Sequence, residues 1–229
     1  MTIMGLQKLT LLDFPGKLAC TVFTGGCNFR CPFCHNASLV IPSKFGGVMP
    51  TEEFFAFLEK RRGMLQGVCV SGGEPTLMFD LEEFIARIKS MGFLVKLDTN
   101  GSRPDVLKSL VEKGLVDYVA MDIKTSIENY GRVSGIPDID TSKIERSIDL
   151  LLSGTVPYEF RTTVVRELHT ASDFYSIGRR IEGARAYFLQ PFKDSGDLIE
   201  DGFSSYSEAE IQGLLDIVKV YIPNAQIRG

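Results

Sequence analysis

No stretch of the chain approaches the roughly 18 apolar residues of a membrane-crossing helix, because charges such as Asp13, Lys96 and Asp122 interrupt the most apolar parts. A membrane is not an expected partner. The opening MTIMGLQKLTLLDFPGK has no basic segment followed by a purely apolar run, so a secretory signal is not expected and the cytoplasm is the expected location. Long runs of one charge are missing too. Twenty-five Lys and Arg against 29 Asp and Glu leave −4 at pH 7, which gives nucleic acid or an anionic surface no footprint. There is no internal repeat and no low-complexity segment. Cysteine is scarce, and five residues at uneven spacing make a poor disulfide framework, so reduced thiols are expected.

What is present is a globular composition: 229 residues, 44% hydrophobic and 24% charged. We expect a single domain over 1–229, with a core over about 17–192 and a last helix over about 207–222. Short β-branched runs alternate with longer amphipathic stretches. Strands are expected at Leu18 to Phe23, Val68 to Ser71, Leu94 to Asp98, Tyr118 to Asp122, Glu159 to Val164 and Ala186 to Gln190. Helical patterns start near Thr51, Asp80, Pro104, Thr141, Ser172 and Glu208, with Thr51 as an N-cap and Asp80 with Glu83 as a capping box. Strands joined by single helices imply an α/β fold with a parallel sheet, whose ligand sites lie at the carboxyl ends of the strands. The unusual residues follow those ends: Thr24 to Cys34, Gly72 to Pro75, Thr99 to Gly101, and Lys124.

Cys27, Cys31 and Cys34 form CxxxCxxC inside TGGCNFRCPFCHN. Three soft thiolates on one short turn can wrap an iron–sulfur cluster and leave one iron open to a ligand. A structural zinc site is the alternative, with His35 or a remote group as fourth donor. His35 adjoins Cys34, though, and neighbouring side chains seldom converge on one tetrahedral ion. Cys20 and Cys69 sit in the apolar runs LACTVF and GVCVS and are expected to be buried and inert.

The CxxxCxxC loop with Phe33 before its last cysteine, the run Gly72 to Pro75, the run Asp98 to Gly101 and Met121 to Lys124 together resemble the radical S-adenosylmethionine (SAM) superfamily. Within it, CHN, SGGEPTL, DTNG and DxK in this order resemble the activating enzymes of glycyl-radical enzymes, over about Gly5 to Gln190. The opening LTLLDFPGKLACTVFTGGCNFRCPFCHN resembles in particular the anaerobic ribonucleoside-triphosphate reductase activating proteins, with pyruvate formate-lyase activating enzyme a near relative.

The resemblance implies an open, partial (β/α)6 barrel and an oxidoreductase activity. Cys27, Cys31 and Cys34 would hold a 4Fe–4S cluster whose open iron chelates SAM. One electron would cleave SAM to methionine and a 5′-deoxyadenosyl radical, which takes hydrogen from a glycine of a partner enzyme. It implies that Gly72 and Gly73 let the backbone approach the methionine amine, and that Glu74 pairs with that amine or fixes the turn. Lys124 would meet the methionine carboxylate, and Arg161 would face SAM. Phe33 and His35 would flank the adenine, with core packing an alternative for Phe33. Asn100 of the DTNG run belongs to the cofactor site as well. Asp98, Thr99 and Asp122 would cage a small monovalent cation, the alternative being an acid–base pair of carboxylates. Lys193 stands where pyruvate formate-lyase activating enzyme has a histidine that touches SAM. His169 is expected to be a solvated loop residue.

Partners implied are the glycyl-radical enzyme, in first place anaerobic ribonucleoside-triphosphate reductase, and flavodoxin or ferredoxin as electron donor. Three other readings stand beside this one: an activase of another glycyl-radical enzyme such as pyruvate formate-lyase, a radical SAM enzyme acting on a small molecule, and a zinc-binding interaction module.

Overall fold

The computed structural model describes residues 1–229. In chain order the elements are β1 (Ile3–Thr10), β2 (Ala19–Thr24), α1 (Ala37–Val40), α2 (Thr51–Glu59), β3 (Gly67–Gly72), α3 (Leu81–Ser90), β4 (Leu94–Thr99) and α4 (Pro104–Glu112). They continue with β5 (Tyr118–Asp122), α5 (Tyr130–Ser134), α6 (Ser142–Leu152), β6 (Tyr158–Val164), α7 (Ala171–Arg180), β7 (Tyr187–Pro191), α8 (Glu208–Lys219) and β8 (Gln226–Ile227). Strand order in the eight-stranded sheet equals chain order, β1 to β8; β1 runs antiparallel to β2 and every later pair is parallel. The sheet does not close, since β1 and β8 are its two edges.

The six expected strands are β2 to β7, each within a residue or two of its expected bounds. The flanking strands β1 and β8 are additions to the expected six. Parallel strands buried on both faces read as near-continuous apolar runs, and Val68, Val70, Val95, Leu97, Val119 and Phe160 are all fully buried. Alternation puts a different set on the other face. Cys69 is level with Lys96, Asp98 with Ala120, and Asp122 with Arg161, so the concave side of the sheet carries charge. Fifty buried residues form one contiguous apolar core between sheet and helices. No helix is long and apolar enough to cross a membrane.

Two caps differ from expectation. Thr51 is already helical, with Pro50 at the cap. Asp80 holds the cap position of α3, but its side chain makes no bond to the helix: Oδ2 pairs with the amino group of Met1 and Oδ1 has no partner. The capping boxes lie elsewhere, at Thr170 with Asp173 before α7 and at Ser207 with Glu210 before α8.

Candidate functional site

A cavity of about 180 Å³ opens at the carboxyl ends of β2 to β6. The loop between β2 and α1 brings Cys27, Cys31, Cys34, Phe33 and His35 to it; the end of β3 contributes Gly72 and Gly73, and the end of β4 contributes Asp98, Thr99 and Asn100. Asp122 and Lys124 from β5 and Arg161 from β6 complete the set. Thus all but two of the expected site residues line one cavity. Glu74 and Lys193 do not.

The cysteine loop is held from several sides. Gly26 N–H donates to the Leu39 carbonyl at 2.7 Å, Arg30 N–H to Ser134 at 2.8 Å, and Glu200 N–H to Pro32 at 2.9 Å. Phe29 N–H points at Cys27 Sγ (3.3 Å), the kind of bond that steadies a ligating sulfur. Asn100 Nδ2 donates to Asn28 Oδ1 at 3.0 Å and lies 3.8 Å from the same sulfur, which ties the loop to the end of β4.

Gly72 and Gly73 line the cavity and are also needed for close backbone packing. Gly72 has φ +118°, and a Cβ there would strike Thr24 backbone; a Cβ on Gly73 would strike the Gly26 carbonyl. Their bareness lets the end of β3 press against the stretch that leads into Cys27. The approach is protein backbone to protein backbone.

Of the two roles expected of Glu74, the structure shows it fixing the turn. It is fully buried and accepts from Asn100 N–H at 2.6 Å, Thr99 Oγ1 at 2.8 Å and Thr76 N–H at 3.1 Å. Burial pushes its carboxyl up, against the downward pull of those bonds. Lys193 is exposed and lies outside the cavity, because Phe192 turns inward instead and stacks on His35 with ring centroids 5.2 Å apart.

Between Asp98 and Asp122 the structure puts a guanidinium where a cation was expected. Arg161 Nε donates to Asp122 Oδ1 at 2.9 Å and Nη1 to Asp98 Oδ2 at 3.4 Å, so the space between the carboxylates is filled. Lys96, buried on β4, pairs with Asp98, and Lys124 Nζ lies 3.1 Å from Asp122 Oδ2. Burial opposes ionisation of both carboxyls, but Arg161 with Lys96, and Arg161 with Lys124, outweigh it and hold them below the usual range. Burial likewise opposes a charged Lys124, and Asp122 and Cys31 outweigh that. At the cavity Arg161 and Lys124 match Asp98 and Asp122, and Lys96, buried behind Asp98, adds one further positive charge. The arrangement suits an anionic ligand group, and ionised carboxylates this firmly paired cannot serve as an acid–base couple.

The three thiols are desolvated: burial pushes Cys27 up to about 11 and Cys31 up to about 12, and raises Cys34. They are not nucleophiles at neutral pH. A metal centre that binds thiolate and expels the protons is the chemistry that fits such a set. No three His, Cys, Asp or Glu side chains close on a single point as one zinc ion would need. The donor set and the positive floor fit a 4Fe–4S cluster with an anionic ligand beside it. Cys20 and Cys69 are fully buried, as expected.

His169 is corrected too: it is 1% exposed, not solvated. Its Nε2 lies 2.7 Å from the Lys124 carbonyl and its ring packs edge-on to Phe33 at 6.4 Å. Lys96 and Tyr130 were also missed as supports of the site. A charge in a strand that is otherwise apolar was the available signal for Lys96; nothing in the local sequence marks Tyr130 or His169.

The family model of the radical SAM superfamily matches residues 21–171. A protein of Methanocaldococcus jannaschii provisionally named a glycyl-radical enzyme activating enzyme is 35% identical over 99% of this chain and 95% of its own. A pyruvate formate-lyase-activating enzyme of Staphylococcus aureus is 28% identical, over 62% of this chain and 61% of its own. Among solved structures, a domain of pyruvate-formate lyase-activating enzyme from Bacteroides vulgatus covers 71% of this chain and 99% of its own, with a TM-score of 0.59 at 19% identity. Streptococcus suis SuiB bound to precursor peptide SuiA covers 91% of this chain and 48% of its own, with a TM-score of 0.72 at 13% identity. These two likenesses bear on the fold alone, and they agree with the partial barrel expected from the sequence.

Proposed function

The chain belongs to the radical SAM superfamily, among relatives of the glycyl-radical activating kind, and from that premise we propose that it activates anaerobic ribonucleoside-triphosphate reductase. When bound, the cluster delivers one electron to SAM, which yields methionine and a 5′-deoxyadenosyl radical able to take a hydrogen atom from a glycine Cα. The chain itself supplies position and a sheltered site. Cys27, Cys31 and Cys34 would hold the cluster. Lys124, backed by the surplus positive charge of the floor, would meet the methionine carboxylate. Arg161 has two nitrogens committed to Asp98 and Asp122, so its work is to keep those carboxylates ionised and in place. Phe33 and His35 would line the adenine side.

The observation that carries this reading is the convergence of three desolvated thiols with Lys124 and Arg161 on one cavity at the strand ends. The target enzyme rests on the opening segment, LTLLDFPGKLACTVFTGGCNFRCPFCHN. Flavodoxin or ferredoxin would supply the electron, and the five free thiols suit a cytoplasmic setting. A pyruvate formate-lyase type of target is the second reading, favoured by the resemblance to the Staphylococcus aureus enzyme.

The test is anaerobic reconstitution followed by EPR. A reduced-cluster signal that changes on adding SAM and is lost in Cys31→Ala is expected. Mixing the loaded protein with each candidate partner should then give a glycyl radical on the reductase. A radical on pyruvate formate-lyase alone would decide for the second reading, and a colourless protein loaded with zinc would end both.

A further inference from the structure

Lys124 stands beyond the end of β5, where neither its N–H nor its carbonyl finds a backbone partner. Side chains replace the ladder. Its N–H donates to Tyr130 Oη at 3.3 Å, and its carbonyl lies 2.7 Å from His169 Nε2. The tautomer of His169 follows from its surroundings. Val165 N–H donates to Nδ1 at 3.1 Å, so Nδ1 is bare; the Val165 carbonyl, equally near, already accepts from the N–H of His169 itself at 3.0 Å. Nε2 therefore carries the hydrogen and donates it to Lys124.

The same ring reaches the opposite wall of the cavity. It lies edge-on to Phe33, between the second and third cysteines, and 5.9 Å from Phe174 behind it. Tyr206 Oη donates to the His169 carbonyl at 2.7 Å, which fixes the loop that carries the ring. One buried side chain thus sets the height of the lysine and backs the aromatic ring facing it.

We propose that His169 is a positioning residue for SAM, which as its Nε2–H tautomer holds the Lys124 peptide and the Phe33 ring in register across the cavity. This rests on the cavity being a SAM site. It touches neither reacting atoms nor cluster ligands, and it acts through Lys124 and Phe33.

Two replacements separate its two contacts. His169→Gln keeps an N–H donor near the Nε2 position and gives up the ring; His169→Phe keeps a ring against Phe33 and leaves the Lys124 carbonyl without a donor. In SAM cleavage by the reconstituted protein under a chemical reductant, His169→Phe should raise KM for SAM about tenfold, with kcat within about twofold, and His169→Gln should stay within about threefold of wild type in KM. Separately, 15N NMR of the ring in protein without cluster should show a protonated Nε2 and a bare Nδ1 at pH 7. A hydrogen on Nδ1, or a His169→Phe protein with wild-type KM, overturns the proposal. If His169→Phe does not fold, the NMR assignment decides. If the wild-type protein cleaves no SAM, it is the functional reading that falls, while the spectrum still reports on the His169 geometry.

Discussion

Lys96 shows how far a single residue can depart from what its neighbours suggest. In FLVKLDTN it interrupts an apolar run, which at the level of sequence argues only against a membrane span. In the fold the strand alternation turns Val95 and Leu97 toward the helices and leaves Lys96 and Asp98 on the concave side, where the two pair at 1% and 15% exposure. Removing the ammonium leaves Asp98 with Arg161 and the Ser71 hydroxyl. Lys96→Met should therefore lower stability by about 3 kcal/mol, in line with breaking a buried pair, and urea unfolding of the protein without cluster measures it. Gly73 makes a different kind of demand. Gly73→Ala would force the Gly26 carbonyl away, at about 2 kcal/mol, and should reduce the iron and sulfide retained per chain after reconstitution because Cys27 follows that carbonyl directly. Both glycines were legible as necessary, since GGEP stands after a strand, but the atom they make room for was not.

Among the elements, those with a period were readable and those without were not. The strands β2 to β7 are marked by short runs of β-branched and apolar residues, and the helices between them by spacing. The strand β1 is broken by Gly5 and Lys8, and β8 has two residues, too few for any pattern. What holds β8 is chemistry from outside it. Arg228, the residue after it, donates to Glu159 Oε1 at 2.5 Å and lies 3.7 Å over the Phe188 ring, while Glu159 is 2% exposed. Without the guanidinium that buried carboxylate keeps only the Tyr118 hydroxyl, at 3.2 Å. Arg228→Met should cost about 2 kcal/mol, the half-open side of Arg228 keeping the loss below that of a fully buried pair, and should release β8 from β7 in hydrogen exchange. The site followed the same division. Residues at the ends of periodic strands fall on the expected rim; in irregular segments, His169 is buried where a solvated residue is expected, and Lys193 lies outside the cavity it is expected to serve.

For the molecule as a whole, two buried groups near the site act together on acid stability. Burial holds the His169 pKa below its ordinary 6.5, so as pH falls from there the unfolded chain takes up the proton first. Stability is full above about 6.5 and declines below it. Asp173 accepts from Ser126 and Asn129 at 2.6 Å and from Thr170, and although burial opposes its charge these bonds hold its pKa at about 2 instead of 3.8. Its share, on the order of 2 kcal/mol, is present above about pH 3.8 and lost as pH falls toward 2. Glu74, raised by burial, titrates in the opposite sense. The His169 share is therefore read as a difference: unfolding of protein without cluster from pH 7 to 4.5 should weaken more steeply for wild type than for His169→Gln.

A sheet whose strands stand side by side in the order they are written can be assembled from one end, each new strand docking on the last as synthesis delivers it. The thiols emerge early, with the loop after β2, and Asp98 and Asp122 follow on β4 and β5. Arg161, which balances both carboxylates, comes only with β6. A nascent chain halted after β5 would therefore carry its three thiols beside two carboxylates held by Lys96 and Lys124 but without the guanidinium that ties the pair together. Until β6 is made, the floor of the cavity is an unfinished cradle.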